Sequence, residues 1–140
     1  MQNFLKEAVK NYLESIEVDF NECKVDPKSG LVAKISTKGD KNYDVYIVIP
    51  KVKLDYIAEL WFGDSSDYDK EDLLKEIANQ IVGNAKVIAE QKGINFDITT
   101  PEFVGESDNI LVNFDLKYTK DDILKFKFKN RCFFVIFKEI

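Results

Sequence analysis

With 140 residues and a formal net charge of −5, the chain has the length of one domain built on one core, and its lysines and acids are interspersed. It contains no histidine, which removes Ser-His and Cys-His nucleophile pairs and every histidine-ligated metal site. No apolar run approaches the roughly 20 residues of a membrane span, no Walker-type or GxGxxG loop occurs, and the acidity argues against nucleic acid as a partner. Carboxylates, amides and hydroxyls are the main chemical tools left.

Residues 3–16 predict a first helix, because Phe4, Leu5, Ala8, Val9, Tyr12, Leu13 and Ile16 recur at three- and four-residue steps. The same stretch lacks the basic start, apolar block and small-residue cleavage site of a signal peptide, so a cytoplasmic protein is expected. Residues 17–30 are polar and include the turn signal "DPKSG". Cys23 and Cys132 are far apart with no CxxC, and are expected to be free, mostly buried thiols. "LVAKIST" (Leu31 to Thr37) and "YDVYIVI" (Tyr43 to Ile49) predict two strands, joined as a hairpin by "KGDKN".

Pro50 stands where a helix can start, and Gly63 where it can end. Between them Leu54, Ile57, Ala58 and Trp61 share one face, which assigns Trp61 to the core. After the polar loop "GDSSDYD", Asp67 or Asp69 can cap a further helix, with Glu71 and Asp72 at its positive end. That helix runs to about Gln91 and ends at Gly93. The pattern then changes to period two. Ile110, Val112, Phe114, Leu116 and Tyr118 predict one strand face, and Leu124, Phe126 and Phe128 another. The lysines of "KFKFKNR" fall on the wet side of that second strand, and "CFFVIF" (Cys132 to Phe137) reads as a strand covered on both faces. At least three antiparallel strands are thus expected from the last thirty residues. The order of elements makes the class α+β, with long amphipathic helices packed on a mainly antiparallel sheet.

The long helix divides cleanly when wound at ~100° per residue. Leu73, Leu74, Ile77, Ala78, Ile81, Val82, Ala85, Ile88 and Ala89 occupy one half of its circumference. Asp72, Glu76, Asn79, Gly83, Lys86 and Glu90 occupy an opposite arc of ~80°. Gly83 costs such a helix roughly 1 kcal/mol against alanine. On the polar side it is not needed for core packing; it leaves room for another molecule to approach the helix. By itself, Glu76 and Asn79 one turn apart describe only an exposed polar face.

The wider constellation is more specific. Asp72, Glu76, Asn79 and Pro101, with Gly83 four residues after the asparagine and Gly93 and "DITTP" beyond it, resemble the signature of the CheX/CheC/FliY phosphatases of bacterial chemotaxis. The likeness is good over about residues 50–105 and departs over residues 17–48, where the family has a glycine-rich strand pair. A single Glu-x-x-Asn is present, since "EAVKN" (Glu7 to Asn11) has the wrong spacing, and this makes the CheX type the nearer one. The resemblance implies one CheX-like domain over residues 1–140. It implies a phosphatase acting on the aspartyl phosphate of a CheY-like response regulator, with Glu76 and Asn79 as catalytic residues inserted into the regulator. Asp72, Gly83 and Pro101 complete the binding motif. No cofactor of its own is implied: the Mg²⁺ would be the regulator's. A homodimer through sheet edges is implied, with no membrane insertion. The alternative is a non-catalytic CheX-like module that docks a regulator or flagellar component.

Overall fold

Apolar residues that alternate with period two, or run without interruption, assemble a single antiparallel sheet in the computed structural model, which describes residues 1–64 and 66–140. Helix α1 (Gln2–Ser15) precedes the short strand β1 (Asn21–Glu22) and the hairpin β2 (Gly30–Gly39) and β3 (Tyr43–Ile49). Helices α2 (Lys51–Phe62) and α3 (Lys70–Gln91) follow, then strands β4 (Phe96–Ile98) and β5 (Glu102–Ser107), helix α4 (Ile110–Asn113), and the hairpin β6 (Ile123–Phe128) and β7 (Arg131–Glu139). Among the described residues the strand order is β1-β6-β7-β3-β2-β4, and β5 pairs with the other half of β2's outer edge. The α+β class and the antiparallel sheet are as expected.

The sheet has a core on each face. Helices α1, α2 and α3 lay Leu5, Leu13, Leu54, Ile77 and Ile81 against Ile35, Ile47 and Val135 on one side. On the other side Val32, Val48, Phe134 and Ile136 meet Ile110 and Leu116. Successive residues of β7 therefore bury into opposite cores, which explains the unbroken apolar run "CFFVIF". Leu124, Phe126 and Phe128 of β6 face the helices. The lysines between them point the other way, as expected, and Lys125 pairs with Asp26 at 2.8 Å. Lys129 and Asn130 both take positive φ (51° and 65°), which suits the tight two-residue turn joining β6 to β7.

Two expectations are corrected. Residues 110–118 do not form a strand, so the last thirty residues contribute two strands, not three. The Asn109 side chain accepts the Val112 N–H, starting α4, and Asp115 takes a φ of 50° that an extended strand excludes. Ile110 and Leu116 still reach the core, but Val112 is 72% exposed. The Phe114 ring lies over Gly105, where a Cβ would come within 2.8 Å of its Cζ; only glycine admits that approach. The cysteines are the second correction. Cys23 and Cys132 form a disulfide with Cα atoms 5.8 Å apart, because the pairing of β1 with β6 and of β6 with β7 brings their segments together.

Among the described residues Lys53 is the one buried cation, 2% exposed on α2. Its Nζ donates to the Lys129 carbonyl at 2.8 Å and lies 4.7 Å from the centre of the Phe128 ring, tying α2 to the β6–β7 turn. Burial, with Arg131 and Lys129 nearby, lowers its pKa from 10.5 to about 8. Below pH 8 both folded and unfolded chains hold the proton, and the cost of burying the charge is fully present. From pH 8 to about 10 the unfolded chain binds more protons than the folded one, so stability rises with pH. Tyr12, which is buried, and Tyr68, which is partly buried, have raised pKa values and reverse this above about pH 10. Urea denaturation across pH 7–10 is expected to show a rise on the order of 1–3 kcal/mol that Lys53→Met removes. A flat profile in the wild type would contradict it.

Candidate active site on helix α3

Helix α3 begins where the Asp69 side chain accepts the Asp72 N–H at 3.1 Å, and Glu71 and Asp72 oppose the positive end of the helix dipole. All nine apolar residues expected on the core face are buried, with Ile77 and Ile81 at 0% exposure. Packing on one side fixes the other. Asp72, Glu76 and Asn79 are exposed, and Gly83 is half-buried between them and the far end of the helix. The helix is continuous through Gly83, and a Cβ built there meets nothing within 4 Å. Internal packing thus gives no reason for this glycine.

The two side chains of the Glu-x-x-Asn pair differ in their surroundings. One Glu76 carboxylate oxygen accepts from Gln80 Nε2 at 3.2 Å. The Asn79 amide has no hydrogen-bond partner among the described residues, so both its donor and its acceptor face water. Alongside, Asn11 Nδ2 donates to Asn84 Oδ1 at 2.9 Å and joins α1 to α3. Tyr12 of α1 is buried with its hydroxyl unpartnered, and burial together with the nearby Glu76 charge raises its pKa. Its ring meets Trp61 edge-on, with centroids 6.3 Å apart.

Trp61 departs in part from its assignment to the core. It is half-buried, and besides packing on the core it lines a groove of about 500 Å³ together with Phe62, Tyr68, Asp69, Asp72 and Glu76. Tyr68 is held there by donating its hydroxyl to Asp55. Sequence reasoning missed this aromatic wall; the signal was Phe62, an apolar residue beside a helix-ending glycine, which the fold leaves 60% exposed. Pro101 lies in the link between β4 and β5, where the Ser36 N–H donates to Thr99 Oγ1 at 2.9 Å, and does not line the groove. The fold therefore groups Asp72, Glu76, Asn79 and Gly83 on one helix face, with Pro101 in a neighbouring edge segment. Among the described residues no three acidic or thiol side chains are placed to hold a metal ion.

A family model described as "Chemotaxis phosphatase CheX" matches residues 31–118, more than half of the chain. The chain belongs to the CheX family. No match is found among curated protein sequences. Among solved structures, chemotaxis protein CheX from Vibrio vulnificus is similar at 18% identity, with a TM-score of 0.78 and 97% of each chain covered. CheX from Desulfovibrio desulfuricans is similar at 18% identity and a TM-score of 0.71, covering 99% of this chain and 97% of the other. A third structure is the CheX–CheY–BeF₃–Mg²⁺ complex from Borrelia burgdorferi, at 17% identity and a TM-score of 0.72, with 98% and 96% covered. At these identities the solved structures show a common fold. The CheX match includes α3 whole, so Glu76 and Asn79 lie inside the family region. Among the described residues no helix is long and apolar enough to cross a membrane.

Proposed function

We propose that the chain is a cytoplasmic phosphatase that hydrolyses the aspartyl phosphate of a CheY-type response regulator, residues 1–140 acting as one domain. The observation that carries this reading is the pair Glu76 and Asn79, exposed one turn apart on a helix whose other face is wholly buried, in a chain of the CheX family. The solved complex of the Borrelia relative with CheY supports the choice of partner.

The chemistry asks little of the phosphatase. An aspartyl phosphate is a mixed anhydride and already labile. Its hydrolysis requires a water in line with the departing carboxylate and stabilisation of the transferring phosphoryl group, for which the regulator supplies Mg²⁺ and its own lysine. Asn79, with a free carbonyl and a free amide N–H, orients the attacking water. Glu76 pairs with the regulator's lysine and sets the docking. Neither acts as a base, so a chain without histidine can perform the reaction. Positioning of this kind is worth several kcal/mol.

The test is the decay of phosphorylated CheY-type regulator in the presence of Mg²⁺, with and without the chain. Faster decay in proportion to added protein is expected; unchanged decay with retained binding would leave the non-catalytic docking module as the function. The open space at Gly83 is the approach route for the regulator. Gly83→Ala is expected to stabilise α3 by up to ~1 kcal/mol with little loss of regulator binding. Gly83→Phe is expected to leave the melting curve intact and to weaken regulator affinity about tenfold or more. Equal affinity of the Phe variant and the wild type would remove the glycine from the interface.

A further inference from the structure

A second groove, of about 780 Å³, opens between the first turns of α1 and the β1–β6 edge of the sheet. Its volume lies in the range of small-ligand sites. It shares no lining residue with the groove beside Glu76. Lysines reach it from four separate stretches: Lys6 and Lys10 on α1, Lys24 after β1, Lys120 before β6, and Lys125 on β6.

The charge balance there runs against that of the whole chain. Lys125 is answered by Asp26 at 2.8 Å. Lys6, Lys10, Lys24 and Lys120 form no ion pair among the described residues, and the remaining carboxylate of the lining is Glu22. Lys6 and Lys10, one turn apart on a helix face, repel each other, and among the described residues neither forms an ion pair with Glu7 or Glu14, the acids of the same helix.

The walls are also held in place. The Cys23–Cys132 disulfide, the pairing of β1 with β6 and the Asp26–Lys125 ion pair pin residues 20–26 along one side. Phe20, half-buried, rests edge-on against Phe126, and Tyr118 presents a second partly exposed ring. Cationic side chains around aromatic surface suit a ligand that carries several phosphates and a flat ring.

We propose that this groove binds a nucleoside polyphosphate, with Lys6, Lys10, Lys24 and Lys120 on the phosphates and Phe20 and Tyr118 against the base. The site is independent of the phosphatase reading, and so is its test. Isothermal titration of the full chain uses ATP, inorganic pyrophosphate and a single-stranded oligonucleotide as separate probes. ATP is expected to bind in the micromolar range, more weakly as salt screens the lysines. Exchange of both exposed lysines, Lys6→Glu with Lys10→Glu, is expected to weaken ATP about tenfold or more while the melting curve stays in place. Phe20→Ala is expected to weaken ATP and leave pyrophosphate unchanged. No binding of ATP up to about 1 mM, or unaltered affinity in the double variant, would overturn the proposal. Equal affinity for pyrophosphate and ATP would overturn the ligand class, as would an oligonucleotide that binds more tightly than ATP.

Discussion

Asn79→Ala is expected to slow dephosphorylation of the regulator by about 10²–10³-fold while its affinity for the phosphorylated regulator changes little. The physical reason is that a water-orienting amide acts in the transition state and contributes little to ground-state docking. Its side chain has no internal partner and is exposed, so its loss removes no stabilising contact from the fold. Glu76→Ala is expected to behave differently. It removes one arm of the ion pair proposed with the regulator's lysine, so affinity and rate fall together, and the loss shrinks at high salt because a partly exposed pair is screened. Regulator decay measured over a range of phosphatase concentrations separates the two cases. Full activity in the Asn79 variant would refute the mechanism; identical kinetic signatures for both variants would refute the division of roles.

Reduction of the Cys23–Cys132 disulfide, or Cys132→Ser, is expected to lower stability by about 2–5 kcal/mol, which moves the melting temperature down by ~10 °C. The bridge spans 109 residues of sequence, so opening it returns much conformational freedom to the unfolded chain. Against a total stability of about 5–15 kcal/mol, that is a large fraction. Cys23 lies in the core on the side of the sheet away from α3. Well below the melting temperature, therefore, the reduced protein should keep its regulator-directed activity. Paired urea curves with and without reductant read the stability, and the decay assay reads the site. Coincident curves would show that the bridge adds nothing; loss of activity at full folding would show that its effect reaches α3. In the cytoplasm proposed above, thiol reductants would reach this bond, and its redox state would then set the protein's stability.

What was legible in the sequence was local and periodic. The core face of α3 repeats with the helical period, so nine residues could be assigned to burial, and Glu76, Asn79 and Gly83 to the opposite side, before any contact was known. The α2 boundaries at Pro50 and Gly63 were legible for the same reason: backbone preference at a single residue decides them. The resemblance to the family rested on motif residues along one helix and its trailing segment, and the family match over residues 31–118 bears it out.

Tertiary structure decided what depends on residues distant in the chain. Residues 110–118 alternate as a strand would, yet the described residues place no strand there. The Asn109 cap and the left-handed Asp115 turn the chain across the second face, where Ile110 and Leu116 bury regardless of period. Cys23 and Cys132 have no spacing that marks them as partners; the β1–β6–β7 pairing puts their Cα atoms within bridging distance. Trp61 belongs to an apolar helix face, but at the end of α2 its ring meets Tyr12 of α1 on one side and the groove at Glu76 on the other. Periodicity reports which side of an element avoids water. It carries no information about which other element supplies the cover, and every departure in this chain, the lysine groove included, arises at such a junction.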